Sequence, residues 1–301
     1  MTMAAGPGWN PIADLQEMWS FPFMVNAFRA GSIVAVLAGV MGYFMVLRRQ
    51  SFAGHTLSLI GFPGAAGAVL LGLPPSYGYF AFCVAGALAI AAWPGASRGG
   101  YAEESAVTAT VQCFALACGL LFAALYHGYL SGINALLFGN FLGITTTQVA
   151  LLGLVAVVAV LTVGLVSRPL VFASIDPEVA RARNIPVRWI SALFLMLLGA
   201  ATAETSQITG SLLVFALLVM PAATAQALTV RPTRALFLAI AIGLTVTWLG
   251  LGVAYYTPYP VGFLITSFAF AGFVAARVAR YGRLRQRTGG WRRSRRVSSI
   301  R

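Results

Sequence analysis

RRQSFAGHTLSLIGFPGAAGAVLLG, residues 48–72, sets two arginines in front of a run made mostly of apolar and small residues. A soluble domain has little use for many such runs, since roughly a quarter of its residues are charged. This chain of 301 residues is 59% hydrophobic and only 9% charged, with a mean hydropathy of +0.84. A water-facing fold of this length cannot bury so much apolar side chain. Lipid accommodates it, because about 20 consecutive apolar residues cross the hydrocarbon layer as a helix. The expected fold class is therefore an all-α polytopic membrane protein.

Working outward from that stretch, apolar runs fall at about 23–47, 56–73, 76–96, 105–126, 148–167, 189–203, 207–230, 235–256 and 259–279. Arginine gathers between them, at Arg48 and Arg49, at Arg98, from Arg168 to Arg188, at Arg231 and Arg234, and in the tail. Connections rich in arginine stay on the cytoplasmic side. Nine crossings starting outside satisfy every one of them; eight or ten stay open because 189–203 is short, so the expected bundle has about eight or nine transmembrane helices. The stretch 129–146, YLSGINALLFGNFLGITT, is apolar, yet a crossing there would put Arg168–Arg188 on the wrong side. A re-entrant or interfacial segment is expected instead. The organisation is then an extracytoplasmic segment 1–22, a membrane domain 23–279 with its main cytoplasmic loop at about 168–188, and a tail 280–301.

All 20 basic residues are arginine, and ten lie between Arg277 and Arg301. Beside a membrane span such a cluster orients the chain and attracts anionic headgroups, a better reading than nucleic-acid binding. Cys83, Cys113 and Cys118 fall in apolar runs without CxxC spacing, so they read as packing residues rather than disulfide or zinc positions. The N-terminus lacks the basic and short apolar regions of a cleaved signal. Pro221 should kink or end the helix that carries it.

The loop RPLVFASIDPEVARARNIPVRW, residues 168–189, is too patterned to be a mere reversal. Asp176 suits an N-cap, Pro177 the first helical position and Glu178 the positive helix end. Asn184 can take the left-handed position after the helix, and Pro186 prevents continuation. A helix of about two turns over 176–184 follows. So short a helix is marginal in water without something to pack on, which is either the body of this chain or a second protein.

The loop segment DPEVARARNIPV (176–187) and the segment GSLLVFALLVMPAATA (210–225), together with INALLFGNFLGI (133–144) and the opening stretch, resemble in order the permease subunits of zinc/manganese-type ABC importers. The resemblance covers the chain from about Arg48 to the last span. It implies a subunit of a bacterial cell-membrane importer for a divalent transition metal, zinc first and manganese second. It further implies a pair of these chains, a cytoplasmic ATP-binding subunit and an extracytoplasmic metal-binding protein. ATP would be used by the partner, and this chain would hold no resident cofactor and be no enzyme. Asp176, Pro177, Glu178, Ala180, Arg181 and Asn184 would couple to the ATPase. The chain has no lysine and hence no phosphate-binding loop of the G-x-x-x-x-G-K-[ST] kind.

Family members carry approximately D-A-L-S-H-A-x-L-P-G in the helix that corresponds to the opening stretch. Aligned on Ser58 and Pro63-Gly64, this chain has His55 in place of the aspartate and Leu59 in place of the histidine. His55 is thereby a candidate ligand in the metal path, since neutral imidazole suits zinc and a single ligand releases it; a solvated position near the interface is the plainer alternative. Ser58 and Glu204 are further candidates for the path. Glu204, in ATAETSQITG, could equally belong to a short polar turn, and His127 to an outer loop. An ion- or proton-coupled secondary transporter, and more remotely a hydrolase using Ser58 and His55, remain competing readings.

Overall fold

The computed structural model describes residues 11–93, 100–126, 139 and 143–297. Among these the helices in chain order are α1 (Pro11–Ser20), α2 (Pro22–Leu47), α3 (Ser51–Leu70), α4 (Pro75–Ala92), α5 (Gly100–Leu125) and α6 (Thr146–Ile175). They continue as α7 (Pro177–Ala182), α8 (Val187–Thr209), α9 (Ser211–Leu228), α10 (Pro232–Tyr256) and α11 (Val261–Val297). Eight of them are long and apolar enough to cross a membrane, and α9 holds a shorter apolar stretch, Leu213–Leu228. The chain is a polytopic helical membrane protein, as its composition demands.

Local chemistry accounts for where the helices begin and end. Proline occupies the first turn of α2, α4, α7 and α10, where its missing N–H costs nothing. Thr145 and Gln148 bond reciprocally at the start of α6 in a capping box. After α2, Arg49 turns left-handed (φ 58°), and the Arg49 and Gln50 N–H groups donate back to Val46 and Met45 carbonyls. After α3, Gly72 and Leu73 close the helix in the same manner.

The bundle has an inner and an outer set. Helices α2 and α3 bury most of their length, α8 more than half, and α4, α5, α6, α10 and α11 keep a broad face outside. α2 packs on α6, α9 and α10, while α8 packs on α4, α6, α3 and α9. Small residues permit a close crossing between α3 and α4. There Gly64 faces the backbone of Gly78, and a Cβ on either would run into the other's carbonyl. At one end of the bundle the Gln226 side chain donates to the Tyr43 carbonyl, tying α9 to the end of α2. At the opposite end the Asn26 side chain donates to Ile144 ahead of α6.

Two expectations from sequence are corrected. The helix placed at 148–167 continues to Ile175, through Arg168 and Pro169, because Leu170 and Ala173 still bury their side chains in the bundle. The loop expected at 168–188 therefore shrinks to α7 and its joints. Of the two alternatives for Pro221, a kink or an end, the end is excluded, since α9 runs from Ser211 to Leu228 around it. The break sits eleven residues earlier in the chain, at Gly210, whose φ of 79° and ψ of 152° are open to glycine alone. The segment 129–146, including Leu137 and Phe138, lies outside the described residues for the most part. Gly139 is described: it too has positive φ (73°) and lies against the backbone of Thr209 and Gly210.

The α3–α4 crossing makes a direct prediction. Gly64→Val should lower the unfolding midpoint of the detergent-solubilised protein, at a cost of about 2 kcal/mol or more from overpacking against Gly78. Gly164→Ala, whose Cβ meets nothing within 4 Å, should leave the midpoint within about 0.5 kcal/mol of wild type. Equal effects from both would refute the close-packing account.

Candidate translocation path and coupling segment

The short helix α7 is built from its caps inward. The Asp176 carboxylate accepts the Val179 N–H at 3.0 Å, with Asp176 itself extended (φ −140°, ψ 91°). At the other end Asn184 is left-handed (φ 58°), its N–H donates to Arg181, and the Ile185 N–H reaches back to Ala180 at 3.1 Å. Both bonds satisfy carbonyls that the helix end would otherwise leave open. Ala180 is completely buried against Ala173 and Val187, with Phe172 and Ile185 beside them. The Arg183 guanidinium lies 5.9 Å from the Phe172 ring centroid. The packing surface that so short a helix needs is thus supplied by this chain's own α6 and α8.

The outward side of α7 is different. Pro177, Glu178, Val179, Arg181 and Asn184 are exposed. Two large apolar side chains flank them, Ile175 at 69% and Trp189 at 78% exposure. Of the six residues singled out from sequence, Asp176 and Asn184 shape the helix, Ala180 anchors it, and Pro177, Glu178 and Arg181 form the face it presents.

His55 lies in the second turn of α3, half-buried, with its ring 4.6 Å from that of Phe215 in α9. Its Nδ1 is shielded and has no hydrogen-bond partner. The Ser58 hydroxyl donates to the His55 carbonyl at 2.7 Å, so it is engaged with the helix backbone and not with the imidazole.

Glu204 is placed differently from the polar turn considered above. It lies inside α8 at 2% exposure, its carboxylate accepting from Gln207 Nε2 at 3.3 Å. The helix tolerates this polar stretch because its hydroxyls bond inward: Thr202 donates to Leu198, Thr205 to Ala201, and Thr209 to Thr205. Ser206 and Ser211, on either side of the Gly210 break, are buried with unpartnered hydroxyls. Sequence reasoning took Ser206 together with Glu204 but missed Ser211 and Phe215, as no local pattern distinguishes them. Among the described residues no three of histidine, cysteine, aspartate and glutamate come together as a metal site. His127 lies outside the described residues.

The model of the ABC 3 transport family matches residues 20–280 of this sequence, nearly the whole membrane bundle. The chain belongs to the ABC 3 transport family. The family member MntC, the manganese transport system membrane protein of Halalkalibacterium halodurans, is 30% identical over 227 residues, 75% of this chain and 77% of the relative. YfeC, the chelated iron transport system membrane protein of Yersinia pestis, is 29% identical over 262 residues, 87% and 88% of the two chains. Among solved structures, PsaBC from Streptococcus pneumoniae in complex with Fab superposes with a TM-score of 0.76 at 26% identity, covering 89% of this chain and 95% of that one. Membership makes the chain a multi-pass transport subunit, in agreement with the resemblance read from its sequence.

Removing the α7 cap tests the local structure. Asp176→Ala should cost about 1 kcal/mol of helix stability, visible as about fivefold faster amide hydrogen exchange across α7. Asp176→Asn, which caps equally well, should exchange like wild type.

Proposed function

We propose that this chain is the permease subunit of an ATP-driven importer for a divalent transition metal, working as a pair with a separate cytoplasmic ATP-binding subunit and receiving its substrate from an extracytoplasmic metal-binding protein. The carrying observation is α7: a short helix capped at both ends, anchored by Ala180 on its own bundle, yet presenting Glu178 and Arg181 outward between two uncovered apolar side chains, Ile175 of α6 and Trp189 of α8. That is a surface for a second protein, and in an ABC family the soluble protein that must be engaged is the ATPase. The arginine-rich end of the bundle, which includes α7, is then cytoplasmic, and the N-terminus lies outside.

The family resemblance read from the sequence puts zinc ahead of manganese as substrate. The relatives' names, which give manganese and chelated iron, support manganese first. The residues proposed to meet the cation are His55, where α3 borders α9, and Glu204, near the break between α8 and α9. Single, separated ligands suit passage, because a site that completes a full coordination shell holds its metal instead of releasing it. Ser58 supports the same stretch of α3 through its bond to the His55 carbonyl.

Uptake of radioactive manganese and zinc into proteoliposomes holding the complete assembly tests this reading. Manganese should accumulate only with ATP inside. Glu178→Arg should reduce uptake at least about tenfold by disrupting the α7 contact, a loss within the usual range of coupling energies. His55→Ala should raise the manganese concentration needed for half-maximal uptake by about tenfold, corresponding to about 1.4 kcal/mol. Uptake driven by a proton gradient without ATP would instead identify a secondary transporter.

A further inference from the structure

Arg48 does more than mark a cytoplasmic end. It is the C-cap of α2, and its guanidinium is half-buried among side chains from three other elements. Nε donates to Gln50 Oε1 at 2.9 Å, and Gln50, itself buried, is the N-cap of α3. Nη2 donates to Ser191 Oγ at 2.6 Å, in the second turn of α8. Nη1 reaches Ser174 Oγ at 3.4 Å, at the end of α6. The guanidinium carbon also sits 5.5 Å from the Phe194 ring centroid. Ser174 lies two residues before Asp176, and Ser191 lies five after Pro186. One planar group therefore holds both flanks of α7 to the elbow between α2 and α3.

The mechanical consequence follows from what is rigid on each side. On one side, Ala173, Ala180 and Val187 pack as a unit, so α7 cannot shift without moving the end of α6 and the start of α8. On the other, the α2–α3 elbow is closed by the left-handed Arg49 and the buried Gln50, and His55 follows one turn into α3. A guanidinium fork suits this junction because it fixes direction as well as distance to several acceptors, whereas a lysine would offer a point charge.

We infer that Arg48 is the positioning residue that transmits displacement of α7 to α3, so that hydrolysis in the ATPase partner changes access at His55. The inference rests on the importer reading above. Its observable is coupling: with the junction cut, the partner continues to be bound and to hydrolyse ATP, but hydrolysis no longer moves metal.

The test measures manganese uptake and ATP hydrolysis in the same proteoliposomes carrying permease, ATPase and binding protein. Arg48→Ala and the double variant Ser174→Ala/Ser191→Ala are compared with wild type. Ser32→Ala, which removes the acceptor for Trp248 Nε1 at 2.9 Å in the α2–α10 interface, serves as a structural control. The expected result is an uptake-to-hydrolysis ratio lowered about tenfold in both junction variants and unchanged in the control. If Arg48→Ala fails to assemble, the double variant, which keeps the arginine, decides alone. Junction variants that transport with the wild-type ratio, or that lose uptake and hydrolysis in proportion, overturn the inference. A wild-type assembly that hydrolyses ATP without moving manganese overturns the importer reading itself, an outcome distinct from either.

Discussion

Inside lipid no water remains to bond a stray donor or acceptor, so every polar group in a span must find its partner within the protein. This constraint shapes the molecule more than any particular contact. The hydroxyl groups obey it by turning back onto their own helix: Ser32 donates to Phe28, Thr110 to Ala106, Thr162 to Val158, Ser174 to Leu170, Thr224 to Met220, Thr245 to Ala241 and Thr257 to Val253. The threonines of α8 follow the same rule. The polar composition of these helices thus says little about where a substrate passes, because most of it is absorbed by i−4 carbonyls.

The departures from that rule are informative. His55 Nδ1, Ser206 and Ser211 are shielded without partners, and Glu204 has a neutral amide rather than a cation beside it. They lie where α3, α8 and α9 meet or where Gly210 interrupts the helical ladder. An unsatisfied polar group in an apolar bundle is costly, which is why these residues carry the proposal for the path. Thr247 on α10 is also unpartnered; nothing around it explains this. Close packing supplies the complement, since glycine pairs such as Gly64 with Gly78 let the helices approach without any polar adhesive.

The local grammar of α7 was legible in advance. Asp176 as N-cap, Pro177 at the first position and Asn184 in the left-handed region all depend on bonds spanning six residues or fewer, and the structure shows each of them. The bounds of α6 were not legible. Arg168-Pro169 has the appearance of a helix stop, but the burial of Leu170 and Ala173 outweighs one lost backbone bond. From sequence Glu204 is open between a path lining and a polar turn for a related reason: a cluster of threonine, glutamate, serine and glutamine looks like a surface turn until neighbouring helices cover it.

By itself the sequence determined that this chain lives in lipid, which of its connections bear the positive charge, and the caps of the exposed helix, because hydropathy, arginine placement and capping act over one element at a time. Only the tertiary structure decided that Glu204 is buried and that Gly139 meets Gly210. It alone placed the Arg48 guanidinium between serines 126 and 143 residues away in the chain. Those facts depend on which faces of distant helices come into contact. In a bundle whose spans are apolar almost all round, that choice rests on shape and on a few buried polar groups, which no short stretch of sequence contains.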